Sequence, residues 1–185
     1  MSKPRILGGT ARGRELNTPA SGTRPTPAKL RAAVFNSLQF RSGRFLDLFG
    51  GSGAMALEAA SRGWQVTTVE LAKAAAGIIR GNAARLGLKA EVVQGDALAY
   101  VRSHGGFDVV FASPPYTMDG LADVYPAIVA AGPAAPGGLY LLQHPTGLEL
   151  DPASLPAWAA VKRRVYGNNT VSVLQVPEHE NPQDA

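Results

Sequence analysis

From Arg44 onwards, short apolar runs alternate with longer segments whose apolar residues recur at helical spacing. The runs predict five strands, within RFLDLF, QVTTVE, AEVVQG, FDVVFAS and GLYLLQHP. The segments between them predict four helices, at Ala54–Arg62, Ala72–Leu86, Ala97–Ser103 and Leu121–Ala131. Strands that alternate with helices pair in parallel, so we expect a sheet with helices on both faces.

The carboxyl-terminal segment follows a different pattern. VKRRVYG and NTVSVLQV are both rich in strand-forming residues, and they flank the dipeptide Gly167-Asn168. A two-residue turn of this kind is typical of an antiparallel hairpin. The sequence therefore predicts that the parallel sheet ends in an antiparallel pair of strands.

The amino-terminal segment predicts a small hairpin and one helix. PRILGG and RGRELNTP are short extended candidates separated by Gly8-Gly9. In the segment that follows, Thr26 is a suitable N-cap and Pro27 a suitable first helical residue. An apolar face is predicted from the spacing i, i+4, i+8 of Leu30, Val34 and Leu38, and Lys29 and Arg31 lie off that stripe.

Charge is distributed unevenly along the chain. Residues 1–44 carry nine Lys/Arg and one Asp/Glu, a local net charge of +8, whereas residues 45–185 have a net charge of −4. A basic segment joined to a mildly acidic body predicts binding to a polyanion. The candidate contacts are Arg5, Arg12, Arg14, Arg24, Lys29 and Arg31.

Composition excludes several kinds of site. The chain has no cysteine, which excludes disulfides, thiolate zinc sites and a cysteine nucleophile. The three histidines, His104, His144 and His179, lack metal-like spacing, so we expect no metal. No apolar run reaches the roughly 18 residues of a membrane span, and the first residues lack the apolar core of a secretory signal. The expectation is a cytoplasmic globular protein.

A glycine-rich loop follows the first predicted strand, in LDLFGGSGAMALEAASRG. Gly50, Gly51 and Gly53 permit a tight turn and close approach of a ligand to the backbone, and the helix that follows presents free N–H groups to an anion. Glu70 ends the second strand, where its carboxylate can accept hydrogen bonds from ribose hydroxyls, and Asp96 follows the third. All these residues fall at carboxyl ends of strands, where such sheets bind ligands.

Two cofactors remain possible for this loop from the residues alone. The spacing Gly51-x-Gly53-x-x-Ala56 also fits a dinucleotide fingerprint, and Glu70 lies at a suitable distance along the chain for an NAD ribose. S-adenosylmethionine (SAM) is favoured by Asp47, which lies three residues before the glycines and can reach the amino group of a methionine moiety. The terminal hairpin also favours SAM, because a dehydrogenase sheet is all parallel.

The fourth strand ends in the tetrapeptide Ser113-Pro114-Pro115-Tyr116. Consecutive prolines cannot continue a sheet ladder, so they form a rigid turn at the switch point of the sheet, beside the glycine loop. The hydroxyl of Ser113 and the carbonyl of Pro114 are acceptors that could hold the hydrogens of an amine. Tyr116 offers a ring on which a base could stack, once the base is extruded from its own stack.

The sequence resembles the RsmD family of 16S ribosomal RNA (guanine-N2)-methyltransferases. The resemblance is carried by RILGGTARGRELNTP, RPTPAKLRAAVFNSL and FLDLFGGSGAMALEAASRG, together with SPPY and the terminal hairpin, and it covers Arg5 to about Val176. It implies an α/β fold of the class I SAM-dependent methyltransferase (Rossmann-like) type. Such a fold has a seven-stranded sheet, a C-terminal antiparallel hairpin and, here, a short basic amino-terminal extension.

The resemblance also implies residue roles, domains and partners. SAM would be bound by Asp47, Phe49, Gly50, Gly51, Gly53, Glu70, Asp96 and Ala97, and the amine by Ser113, Pro114, Pro115 and Tyr116. Residues 1–43 would form an RNA-binding extension, 44–176 the methyltransferase domain and 177–185 a disordered tail. The partner would be 16S ribosomal RNA or the assembling small ribosomal subunit, with the protein acting as a monomer, without a metal or a membrane.

One residue departs from the family pattern, which has Asp or Asn where this chain has Ser113. A serine oxygen is a neutral acceptor with a shorter reach, so the contact with the amine differs from that of the family pattern. Two alternatives follow: a methyltransferase acting on another amine, in DNA adenine or a protein amide, and an RNA-binding protein that keeps SAM but has lost catalysis. A nicotinamide-dependent oxidoreductase is a more distant alternative.

Overall fold

The structure is a computed structural model that describes residues 3–19, 25–38 and 41–178. It consists of two compact units, Met1–Ala97 and Leu98–Ala185. The division does not test the functional boundaries predicted at residues 43/44 and 176/177, which stay predictions. Of the predicted tail, residues 179–185 lie outside the described part of the chain.

The first unit is a parallel three-stranded sheet with helices. Its strands lie in the order β3-β2-β1, and each neighbouring pair is parallel. The apolar side chains of the strands, such as Leu46, Leu48 and Val69, are completely buried. The elements along the chain are α1 (Ala28–Ser37), β1 (Arg44–Leu48), α2 (Ala54–Ser61), β2 (Gln65–Glu70), α3 (Lys73–Leu86) and β3 (Ala90–Gln94).

The second unit has a mixed sheet in the order β4-β5-β7-β6. The pair β4/β5 is parallel, whereas β5/β7 and β6/β7 are antiparallel. A short helix, α4 (Ala97–Val101), spans the boundary between the units. The remaining elements are β4 (Phe107–Ala112), α5 (Leu121–Ala131), β5 (Ala134–Pro145), a 3₁₀ turn (Pro152–Ser154), β6 (Lys162–Tyr166) and β7 (Asn169–Gln175).

The order of elements predicted from the sequence is confirmed. The structure has the five predicted strands, the helices between them and the terminal hairpin, with β6 and β7 joined at Gly167-Asn168. The predicted amino-terminal hairpin is present in reduced form, because its two arms form one antiparallel bridge, Arg5 with Glu15. Helix α4 ends at Val101 rather than at Ser103.

The start of α1 differs from the prediction by one residue. Pro27 is the N-cap and has no side-chain capping bond, so the assignment of Thr26 as the N-cap is wrong. The carbonyl of Thr26 instead accepts a hydrogen bond from the guanidinium of Arg31. The predicted apolar stripe of this helix is confirmed, since Leu30, Val34 and Leu38 are all buried.

Within the first unit, the amino-terminal segment is packed onto helices α2 and α3. Ile6 and Leu16 are buried in one cluster with Leu57 of α2 and Ile79 of α3. Burial of such side chains stabilises a protein by about 1.5–3 kcal/mol each. The segment is therefore held on the helices by apolar contacts as well as by its own short hairpin.

Hydrogen bonds from α2 fix the backbone of the extension. The hydroxyl of Ser61 accepts from the N–H of Ala11 at 2.9 Å and donates to the carbonyl of Gly8 at 2.6 Å. The buried carboxylate of Glu58 accepts from the N–H of Leu7 at 2.7 Å. Because these partners satisfy backbone groups that would otherwise be buried alone, the position of the basic segment is well defined.

Candidate cofactor and acceptor sites

The residues predicted to bind a cofactor lie at one edge of the first unit. Asp47 of β1 is opposite Thr68 of β2, and Glu70 of β2 is opposite Gln94 of β3. The three strands are parallel, so their carboxyl ends meet at the same edge, where Asp96 also follows β3. The N–H of Gly95 donates to the carbonyl of Glu70 at 3.0 Å and joins these ends.

The glycine loop has the backbone that its sequence predicts. Gly51 and Gly53 have φ values of 55° and 75°, in the left-handed region, and Gly53 is the N-cap of α2. A Cβ on Gly50 would lie 2.4 Å from Oγ1 of Thr68, so no larger residue fits there without rearrangement. The glycines are therefore required by the loop's backbone and by its close packing against β2.

Phe49, just before the glycines, also has a left-handed φ, of 65°. For a residue with a Cβ this conformation costs roughly 1–2 kcal/mol. Such strain is found where the surrounding structure fixes the backbone, often at a binding site. Phe49 is a predicted cofactor residue only through the family resemblance, and nothing in its residue type indicates the strained backbone.

The carboxylate of Glu70 holds the loop in place. Its Oε2 accepts from the N–H of Gly51 at 2.7 Å, and its Oε1 accepts from the N–H of Ala72 at 2.8 Å. A carboxylate oxygen has two lone pairs, so each oxygen keeps one for a further donor. Glu70 can therefore bind hydroxyl groups of a ligand while it continues to fix the loop.

Asp47 is a buried acid, with 2% of its surface exposed. The pKa of its carboxyl is raised to about 7, because burial and the nearby Glu70 together outweigh the opposing hydrogen bond of 3.2 Å from Oγ1 of Thr68 to Oδ2. The effect of burial is the largest. A cation placed beside Asp47 would stabilise the charged form, so the site favours a positively charged ligand group.

The last two predicted cofactor residues differ in exposure. The side chain of Asp96 is exposed at the end of β3, whereas Ala97 is buried at the start of α4. Asp96 is thus accessible at this edge, and the cofactor roles of Asp96 and Ala97 stay predictions.

The predicted amine pocket lies in the second unit, directly after β4. Pro114 is buried, Ser113 is half-buried, and Pro115 and Tyr116 are exposed. The carbonyl of Pro115 accepts from the N–H of Met118 at 2.9 Å, which closes the turn. The tetrapeptide therefore presents Tyr116 at the surface, with 40% of this residue exposed.

The hydroxyl of Tyr116 is anchored by two residues that sequence reasoning missed. It donates to Oδ1 of Asn169 at 2.7 Å and accepts from Nε2 of Gln143 at 3.3 Å, while Gln143 also donates to Asn169 at 3.1 Å. The ring is thus fixed at its polar end, while 40% of the residue stays exposed. A polar residue inside the apolar run YLLQHP was the signal that could have identified Gln143.

One acceptor of this network is unpaired. Gln143 is 4% exposed, and its Oε1 is buried without a hydrogen-bond partner. A buried oxygen without a donor costs about 1–3 kcal/mol. Such a cost would be recovered if a donor on a ligand reached it.

The predicted polyanion contacts have different surroundings. Arg12, Arg14 and Lys29 are exposed, and Arg5 forms an ion pair with Glu15 on the surface. Arg24 lies outside the described residues. The exposed members remain candidates for contact with phosphate.

Arg31 is buried, with 2% of its surface exposed, so its predicted contact with phosphate is wrong. Its guanidinium donates to the carbonyls of Thr26 and Arg5, both at 2.7 Å. Burial lowers the pKa of Arg31, and the nearby carboxylate of Glu58 opposes that effect. Arg31 therefore has a structural role and joins α1 to the chain at Arg5.

Other features of the described residues add little to the site. A groove of about 880 Å³ is lined by Arg44, Gln65 and Lys89 among others, at the opposite end of the strands from the glycine loop. Within residues 3–19, 25–38 and 41–178, no group of three or more His, Asp or Glu side chains could hold a metal ion. In the same residues no helix is both long and apolar enough to cross a membrane.

Comparisons with known proteins agree with this architecture. The family described as "conserved hypothetical protein 95" matches residues 4–175. Ribosomal RNA small subunit methyltransferase D of Escherichia coli K12 is 33% identical over 179 residues, which are 92% of this chain and 89% of that protein.

Two solved structures are similar over almost the whole chain. A hypothetical protein of Thermus thermophilus has a TM-score of 0.82 and 43% identity, covering 94% of this chain and 99% of that one. A putative methyltransferase, yhhF, of Escherichia coli has a TM-score of 0.81 and 29% identity, covering 96% and 100%. The predicted methyltransferase fold is thereby confirmed.

Proposed function

The chain belongs to the RsmD family, described as conserved hypothetical protein 95, and from this premise we propose that it transfers a methyl group from SAM to the exocyclic N2 amine of a guanine in 16S ribosomal RNA. The observation that carries the proposal is the correspondence over 92% of the chain with a ribosomal RNA small subunit methyltransferase D. The proposed partner is the RNA or the assembling small subunit, and the protein would act in the cytoplasm as a monomer without a metal.

The residues at the carboxyl ends of β1, β2 and β3 fit SAM. Asp47 is a buried acid whose interactions, in the described part of the chain, are with Thr68, Glu70 and the backbone of Ala56 and include no cation. The ammonium group of a methionine moiety would supply that missing charge. Glu70 would accept from the ribose hydroxyls while it continues to hold the glycine loop.

When bound, SAM supplies a methyl group on a positively charged sulfur, so the transfer needs no nucleophile on the protein. The protein has to bind the guanine and hold its amine in line with that methyl group. The exposed ring of Tyr116, fixed through its hydroxyl, is suited to stacking with a base extruded from the RNA. The Ser113 hydroxyl and the Pro114 carbonyl would accept hydrogens of the amine.

The basic extension would bind the RNA outside the pocket. Arg12 and Arg14 are exposed on a segment that is fixed to α2 by hydrogen bonds, and Lys29 is exposed on α1, which Arg31 joins to that segment. Cations on a well-ordered segment bind phosphates at a smaller entropic cost than cations on a flexible arm. The extension would therefore orient the RNA and not merely attract it.

A methyl-transfer assay with tritiated SAM tests the proposal. The candidate acceptors are unmodified 16S ribosomal RNA, unmodified small subunits, double-stranded DNA and a bacterial protein extract. We expect label in the RNA or the subunits, and N2-methylguanine after digestion to nucleosides. Label in DNA or protein would contradict the proposal. RNA binding without transfer to any acceptor would favour an RNA-binding protein that has lost catalysis.

A further inference from the structure

The second unit carries a cluster of positive charge on a mainly acidic background. Residues 98–185 contain four Lys/Arg and eight Asp/Glu. Three of the four cations, Lys162, Arg163 and Arg164, are consecutive in β6. All three side chains are exposed, so this strand is the basic surface of the unit.

Strand β6 is the last in the order β4-β5-β7-β6, and its side chains alternate between the two faces of the sheet. Lys162, Arg164 and Tyr166 therefore lie on one face, and Arg163 and Val165 lie on the other. The cations at positions 162 and 164 are about 7 Å apart along the strand, at roughly 3.4 Å per residue.

The register of the antiparallel ladders identifies the face that carries Arg164 and Tyr166. Arg164 is opposite Val171 of β7, which is opposite Gln143 of β5. Tyr166 is opposite Asn169. Residues directly opposite each other in a ladder project to the same face. Arg164 and Tyr166 thus share a face with Gln143 and Asn169.

That same face holds Tyr116. The side chains of Gln143 and Asn169 both hydrogen-bond its hydroxyl, so Tyr116 lies over the face that carries Lys162 and Arg164. No ion pair is formed by Lys162 or Arg164 within the described residues. The two cations are therefore available to an external anion.

Arg163 has different surroundings on the opposite face. It forms an ion pair of 3.0 Å with Glu149. Its charge also acts on the buried His144, whose pKa it helps to lower after the larger effect of burial. Position 163 thus provides a cation in the same strand that faces away from Tyr116.

We propose that the face formed by Lys162, Arg164 and Tyr166 binds the ribose-phosphate backbone of the substrate RNA next to the nucleotide that stacks on Tyr116. The inference rests on the proposed function, and it adds a second RNA-binding surface to that of the amino-terminal extension. Lys162 and Arg164 contact phosphates, and the half-buried ring of Tyr166 stacks on a neighbouring unpaired base.

A different explanation of the charges predicts a different result. Cations on an edge strand also prevent association of that edge with other strands. This protective role needs charge on the strand but does not distinguish its two faces. Neutralising Arg163 would then change the affinity for RNA by the same amount as neutralising Arg164.

The test compares Arg164→Gln and Lys162→Gln/Arg164→Gln with the matched control Arg163→Gln. Binding to an unmodified 16S ribosomal RNA transcript is measured between 50 and 200 mM salt. Loss of one phosphate contact lowers the slope of log affinity against log salt by about 0.7 for single-stranded RNA. We expect this change for Arg164→Gln, about twice the change for the double variant, and an unchanged slope for Arg163→Gln.

Several results would overturn the inference. These are a wild-type slope in the double variant, equal losses for Arg163→Gln and Arg164→Gln, or no RNA binding by the wild type. SAM binding and the melting temperature should stay at their wild-type values, since the replaced side chains are exposed. Unchanged values exclude misfolding as the cause of a lower affinity.

Methyl transfer to the same transcript separates this inference from the proposed function. If the wild type methylates the RNA and the double variant has an unchanged slope and KM, the inference fails and the function stands. If the wild type binds with a slope that depends on Arg164 but transfers no methyl group, the function fails and the surface stands. A raised KM with an unchanged kcat in the double variant would support both.

Discussion

The N–H of Gly51 donates a hydrogen bond of 2.7 Å to Oε2 of Glu70, so an acid at the end of β2 fixes the glycine loop that follows β1. The other oxygen of Glu70 accepts from Ala72, at the turn into α3. One side chain therefore joins two loops at the edge where the cofactor is proposed to bind. Glu70 should therefore affect ligand binding in two ways, by holding the glycine loop in position and by accepting hydrogen bonds from the ligand.

Replacing Glu70 with alanine should weaken SAM binding at least tenfold, because the loop loses its anchor and the ribose its acceptor. Each hydrogen bond to a charged group contributes about 1.5–3 kcal/mol, which agrees with a loss of that size. Calorimetric titration with SAM measures it. Glu91→Ala is the matched control, since Glu91 is an exposed acid of β3 that accepts from Thr67. Equal affinities of the two variants would contradict the role of Glu70.

Asp47 should make the stability of the ligand-free protein depend on pH. Its folded pKa of about 7 lies above its unfolded value, so the folded state holds the proton more tightly. Stability is then highest at low pH and is lost as pH rises from about 4, the value of an exposed aspartate, to about 7. Thermal denaturation should show that Asp47→Asn is more stable than the wild type at pH 8. The stability of this variant should also decrease less between pH 4 and pH 7.

The same acid should make SAM binding depend on pH in the opposite direction. A bound ammonium favours the carboxylate form, so binding below pH 7 must release the proton of Asp47. Affinity should then fall by up to about tenfold for each pH unit below 7. Calorimetry in buffers with different ionisation enthalpies measures the released proton. An affinity that stays constant between pH 5.5 and pH 8 would rule out Asp47 as the partner of the ammonium.

Two kinds of arginine in the amino-terminal segment should respond differently to substitution. Arg12→Gln/Arg14→Gln should lower RNA affinity and flatten its salt dependence by about 0.7–0.9 per lost contact, with an unchanged melting temperature. Arg31→Leu should instead lower the stability by about 3 kcal/mol, because the partly buried carbonyls of Thr26 and Arg5 lose a charged donor. Salt-dependent binding and thermal denaturation separate the two effects. A normal salt slope in the double variant would show that these cations are only a solvated surface.

The sequence predicts the order of strands and helices well because each strand is a compact apolar run bounded by turn residues. The terminal hairpin is equally clear from Gly167-Asn168. The start of α1 was misplaced by one residue, since Thr26 and Pro27 are both acceptable before a helix and only the observed backbone distinguishes them. Local patterns thus determine the elements, but they do not fix their ends.

The environment of single side chains depends on contacts that are distant in sequence. Arg31 is buried because it donates to the carbonyl of Arg5, 26 residues away. Tyr116 is held by Gln143 and Asn169, which are 27 and 53 residues away. No local pattern indicates such partners, so sequence reasoning identified the chemical groups of the acceptor site but not the residues that position them.

Tyr116→Ala should be the most damaging single change in the acceptor turn. Base stacking is worth about 1–3 kcal/mol, so activity should fall by about 5- to 150-fold. Tyr116→Phe keeps the ring but removes the hydroxyl that binds Asn169, so its loss should be smaller. Trp158→Ala is the control, since Trp158 is an aromatic residue of similar exposure outside the turn. Single-turnover methyl transfer gives the comparison, and a Phe variant as inactive as the Ala variant would argue against stacking.

Ser113→Ala should lower turnover by about tenfold if the hydroxyl accepts a hydrogen of the amine in the transition state, since one such bond is worth about 1.4 kcal/mol. Ser113 is half-buried at the end of β4, so the change should leave the fold intact. Ser113→Asn or Ser113→Asp offers a stronger acceptor and should preserve or raise the rate where the longer side chain fits. Single-turnover rates at saturating SAM measure these effects independently of SAM binding.

A fully active Ser113→Ala would assign the amine contact to the Pro114 carbonyl, with Tyr116 holding the base. An inactive wild type with an active Ser113→Asp would show that the serine has removed catalysis from an otherwise intact site.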